Sequence, residues 1–169
     1  MDFSFEDFAW QATVQLSAWS EFTLASSIPL IFAPEDRDDT PLSIEEITLA
    51  EWVIKNQTIQ KSILLDAVLK AYPEFRQQFF DDYDIEDNET DLPIITSTGN
   101  LPKVLMLQEV FVHQISKGDA PYVGYQFSCA WDDEHGLGVL MHNDRIVEIG
   151  GADTAYTLWV AEGDLKGEK

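Results

Sequence analysis

The sequence predicts an α+β protein: a mainly antiparallel sheet with a pair of helices packed on it. Three observations carry that reading. Apolar and polar residues alternate near the N-terminus and through most of the C-terminal half, the signature of half-buried strands. Between these regions, apolar residues recur at helical spacing over about thirty positions. No strand-helix-strand repeat runs through the chain, as a parallel sheet would require.

The elements follow in order. From Phe8 to Trp19, the residues Trp10, Ala12, Val14, Leu16 and Ala18 share one face, which predicts a strand. Ile28 to Ala33 predicts a second, with Pro29 marking an edge or a strand start. The stretch 34–41 is charged and bounded by prolines, hence a loop. Ser43 and Glu46 form a capping box, and Ile44, Ile47, Ala50 and Ile54 continue a helix. Asn56 and Gln57 suggest a break. Thr58 then caps a second helix, carrying Ile59, Ile63 and Ala67, which Pro73 limits near Tyr72, with a further turn or two over 74–80.

Seven of the eleven residues from Asp81 to Asp91 are acidic, which predicts an exposed, mobile loop. It lacks the glycine and terminal glutamate of an EF-hand. Strands are expected over Val104–Ile115, Tyr122–Trp131 and Leu137–Met141, then over Arg145–Ile149 after a two-residue turn at Asn143-Asp144. Gly150-Gly151 ends that strand. Thr154–Val160 is a short final element, and Glu162–Lys169 a frayed polar tail. One domain, 1–169, accommodates all of this.

Charge is the most unusual bulk property. Ten Lys and Arg stand against 31 Asp and Glu, a formal net charge of −21. Such a surface repels nucleic acid and anionic lipid and draws in basic partners. The five tryptophans are spread along the chain, as core residues are, and no basic patch accompanies them. No signal peptide and no 20-residue apolar run is visible, and the single cysteine, Cys129, fits a reducing cytoplasm.

Candidate chemistry is sparse. No nucleophile elbow, phosphate loop or dinucleotide fingerprint occurs, so no cofactor is implied and the reading leans away from an enzyme. Cys129 faces inward with Phe127 and Trp131, as an inert thiol would. The densest polar cluster is Trp131-Asp132-Asp133-Glu134-His135-Gly136-Leu137-Gly138-Val139. Two readings stand. In one, Asp132 to Gly136 shape a turn, with Asp capping amides and glycine supplying positive φ. In the other, Asp132, Glu134, His135 and His142 hold a divalent metal, serving a metal-binding protein or a hydrolase.

That cluster, with His142 and with Ile149-Gly150-Gly151-Ala152-Asp153-Thr154-Ala155, resembles an uncharacterised bacterial domain family with a Trp-Asp-x-Glu-His-Gly-x-Gly-Val signature. The likeness is loose over most of the chain and close over about 25 residues. The resemblance implies an immunity-type role near toxin loci. Together with the charge, it makes a basic protein partner the leading expectation. The predicted contacts are Asp81, Asp82, Asp84, Glu86 and Asp87.

Overall fold

Alternation and helical spacing become seven strands and two α-helices in the computed structural model, which describes residues 1–167. The strands are β1 (Ser4–Glu6), β2 (Ala9–Val14), β3 (Ile28–Phe32), β4 (Leu105–Lys117), β5 (Ala120–Cys129), β6 (Asp132–His142) and β7 (Arg145–Gly150). They form one sheet in sequence order, antiparallel throughout except where β3 and β4 run parallel. The parallel pair is joined by the long crossover that holds α1 (Ile44–Tyr83), while α2 (Leu158–Lys166) closes the described chain. The α+β class expected from the sequence is the class observed.

Alternation sends every second strand residue to one face. Val14, Leu30, Phe32, Val110, Val112, Val123, Tyr125, Phe127, Val139 and Met141 pack with Ala50, Val53, Leu64, Leu65, Val68 and Tyr72 of α1. The other face is smaller. There Tyr122, Leu140 and Val147 meet Val160 and Ala161 of α2, and Ile31 and Phe111 meet Ala155.

The expected helical pair is a single helix of 40 residues. Its start is as read: the Ser43 hydroxyl accepts from the Glu46 amide, and the Glu46 carboxylate from the Ser43 amide. The expected break at Asn56-Gln57 fails for a tertiary reason. The Gln57 side chain accepts from the Ala18 amide, and Lys61 donates to the Ala18 carbonyl. These polar groups dock the 3-10 turn Ser17–Phe22, which seats Trp19 in the core, instead of ending a helix. Pro73 also fails to stop it. A proline inside a helix costs about 3 kcal/mol, but anchors on both sides offset this. The Tyr72 hydroxyl donates to the Pro93 carbonyl at 2.6 Å, and Arg76 to the Leu92 carbonyl at 3.0 Å.

Other boundaries move less. The first strand gives way after Val14 to that 3-10 turn. Pro29 lies at a strand start, ahead of the β3–β4 pairing that begins at Leu30. The hairpin at Asn143-Asp144 forms as expected, with Asn143 at φ 55°. The tail is not frayed over 162–166: it belongs to α2, where Asp164 accepts from Tyr122 and pairs with Arg145. Glu168 and Lys169, also read as tail, lie outside the described residues. Among the described residues no helix is long and apolar enough to cross a membrane.

Candidate functional site

The hairpin between β5 and β6 turns at Ala130-Trp131, not at Asp132–Gly136 as the sequence suggested. Cys129 pairs with Asp132, and the next pair is Phe127 with Leu137. Between these rungs β5 contributes Ser128 alone, while β6 contributes Asp133, Glu134, His135 and Gly136. The surplus pushes out as a bulge. Asp132 holds its shape: one carboxylate oxygen accepts from the His135 amide at 2.9 Å and meets the His135 ring Nδ1 at 3.0 Å. Gly136 has φ 66°, and a Cβ there would stand 2.6 Å from the Phe127 carbonyl oxygen. Only glycine suits that position.

The remaining glycines bring together the two segments that carry the family resemblance. A Cβ on Gly138 would lie 2.3 Å from the Gly151 carbonyl oxygen and 2.9 Å from the Ala155 nitrogen. One on Gly124 would lie 1.8 Å from the Ala155 oxygen. The turn Ala152–Ala155 therefore lies directly on strand backbone, and the buried His113 reaches the Ala155 oxygen from β4 at 3.1 Å. Most of the signature is thus packed into the fold, and three of its nine residues, 133–135, are exposed.

Those exposed residues border a groove of about 390 Å³ against the C-terminal part of α1. Phe75, Phe79 and Tyr83 line it from the helix, and Trp131 from the hairpin. Phe75 and Trp131 stack, with ring centroids 5.4 Å apart and planes at 9°. Phe79 and Tyr83 lie 5.0 Å apart. Asp82, Asp132, Asp133 and Glu134 share this lining. Two acidic segments about fifty residues apart in sequence therefore meet at one place.

The helix sharpens the charge there. The C-terminal end of a helix carries a partial negative charge, which Lys or Arg usually offsets. Here Asp81 and Asp82 occupy the last turn, with no basic residue. The cap, Asp84, is itself left-handed at φ 50°, a conformation uncommon outside glycine and asparagine.

The acidic stretch 81–91 is exposed as expected, apart from the half-buried Asn88, but it is not a loop throughout. Its first three residues are helical, the Asn88 side chain bonds Glu86, Thr90 and Asp91, and Arg76 ties down Asp87 and Asn88. This nearly buried guanidinium forks onto Asp87 and donates to the Leu92 and Asn88 carbonyls. That hydrogen bonding holds the Asp87 carboxyl below the usual carboxylate range. Asp87 is thereby committed to Arg76, although it is exposed at the surface like Asp81, Asp82, Asp84 and Glu86.

The four residues considered as metal ligands are not assembled. Asp132 and His135 meet, but His142 lies at the other end of β6, about 17 Å beyond Leu137 at strand rise. It packs against Tyr122, with centroids 4.7 Å apart and planes tilted by 38°, and contacts the Lys117 carbonyl. Among the described residues no three His, Cys, Asp or Glu side chains could hold one ion. Cys129 is buried, and burial pushes its thiol up to about 12, so it remains protonated near neutrality.

Sequence reasoning missed the aromatic wall. Phe75, Phe79 and Tyr83 stand at i, i+4 and i+8, a spacing visible in the sequence. Taking Pro73 as the end of the main helix hid it.

The fold and groove define a small α+β module whose most distinctive surface is an anionic, aromatic-lined cleft. The chain belongs to the family described as domain of unknown function DUF6985, whose model matches residues 2–156. No curated protein and no solved structure matches it.

Proposed function

We propose that this protein is an acidic protein-binding module, an immunity-type protein that neutralises a basic bacterial toxin from the cytoplasm. One observation carries the reading: Asp82 and the 133–134 carboxylates, remote in sequence, line the same groove at the negative pole of α1. Such a surface concentrates field where a partner's Lys and Arg side chains would otherwise meet phosphate. It speeds encounter and fixes orientation, while the aromatic groups beneath supply contact area. Asp81, Asp84 and Glu86 add exposed negative charge next to Asp82 in sequence, and Asp87 pairs with Arg76.

The test is calorimetric titration of the purified chain with the basic product of an adjacent gene. The expected result is tight binding that weakens about tenfold between 50 and 200 mM salt, and further when Asp82, Asp84 and Glu86 are neutralised together. Absence of binding, or binding indifferent to both salt and these substitutions, would overturn the charge-led reading.

A further inference from the structure

We propose that the groove between α1 and the β6 bulge is an arginine receptor, taking the guanidinium of an arginine carried by the basic partner; this rests on the binding-module reading. Two features act together. Asp82, Asp133 and Glu134 offer carboxylates that have no ion-pair partner among the described residues. Beside them, the aromatic rings of Phe79 and Tyr83 line the groove, with Tyr83 60% exposed. A guanidinium is planar, weakly hydrated and forked, so it can stack on a ring while its N–H groups meet carboxylates. A lysine ammonium is a compact, strongly hydrated point charge and satisfies only the second requirement.

The chain already holds one of its own arginines in this manner. Next to the groove on the same helix, the Arg76 guanidinium carbon lies 4.9 Å from the centre of the Phe80 ring, while its nitrogens fork onto Asp87. The groove presents the same pair of features with no arginine of its own in its lining: aromatic rings and Asp82 on α1, and Asp133 and Glu134 opposite. The occupant is then supplied by another molecule. Its charge matches the sign of the groove, and its flat cation matches the rings.

The experiment uses the full chain and two capped peptides, hexa-arginine and hexa-lysine, titrated by calorimetry at 50 mM salt. Three variants are compared: Tyr83→Ala, Asp133→Asn with Glu134→Gln, and, outside the groove, Asp39→Asn with Asp119→Asn. Circular dichroism establishes that each is folded. Hexa-arginine is expected to bind about tenfold tighter than hexa-lysine. Tyr83→Ala should bring that ratio to about twofold or less, and the 133–134 variant should weaken hexa-arginine about fivefold. The control pair should change it less than about twofold. Equal affinity for the two peptides, or groove variants that behave like the control, would overturn the receptor. If the adjacent-gene product binds while these variants have no effect, the receptor falls and the binding module stands. If hexa-arginine selects the groove while that product does not bind, the receptor stands and the immunity reading falls.

Discussion

Replacing Asp82 by Lys should make the protein more stable and a poorer binder at once. Asp82 sits in the last turn of α1, where backbone carbonyls point outward and no cation offsets them. A carboxylate there is unfavourable by about 0.3–1 kcal/mol and an ammonium favourable by a similar amount. Reversal therefore spans about 0.6–2 kcal/mol at low ionic strength, and exposure places it near 1 kcal/mol. Asp133 and Glu134, in the same groove, act in the same direction. For a chain of this length the gain corresponds to a rise in Tm of about 2–4 °C. Urea unfolding in 20 mM and 500 mM salt measures it, and the gain should shrink at high salt. The same variant should bind hexa-arginine at least about fivefold more weakly. A helix end that is stabilised by reversal yet kept acidic fits a surface held for binding rather than for stability. Loss of stability, or a gain in stability with binding unchanged, would refute the reasoning.

Four other outcomes follow from the geometry. Gly138→Ala places a methyl group against three backbone atoms of the 151–155 segment and should cost at least about 1–3 kcal/mol in urea unfolding. Gly99→Ala, with nothing within 4 Å, should stay within about 0.5 kcal/mol of the parent. Arg76→Met removes the donor to the buried Leu92 carbonyl and the fork on Asp87; it should cost about 1–3 kcal/mol and speed amide exchange over 84–91. Burial lowers the pKa of His113, although its bond to Ala155 and the charge of Glu35 act the other way. The unfolded chain thus takes up a proton first as pH falls through about 6.5, so stability present above that pH drains away toward the lower folded value. His113→Gln should flatten the difference in unfolding free energy between pH 7.5 and 5.5, and an unchanged slope would exclude this histidine as its source.

The signature shows how local and distant causes mix. Asp132 as an amide cap and Gly136 at positive φ follow from residue type, and both were legible. The place of the hairpin turn was not. It depends on Cys129 pairing with Asp132 and on Trp131 stacking against Phe75, a residue of the distant α1. Gly138 reads in sequence as a residue for positive φ or a bulge. In the fold it is clearance for the Gly151 carbonyl, a group that arrives only when the chain returns across the sheet.

By itself the sequence determined six of the seven strands (β1 was not foreseen), the start of α1, the turn at Asn143-Asp144 and the excess of anionic charge, because each depends on neighbours within a few residues or on composition alone. The tertiary structure decided that α1 continues through Gln57 and Pro73, since the groups that sustain it lie on Ala18, Pro93 and Leu92. It also decided that Asp82 faces the same groove as Asp133 and Glu134. Segments so far apart meet only when a helix crosses a sheet. The physical reason is that side-chain periodicity is a local property, while docking partners and shared fields are set by what the folded chain brings within reach.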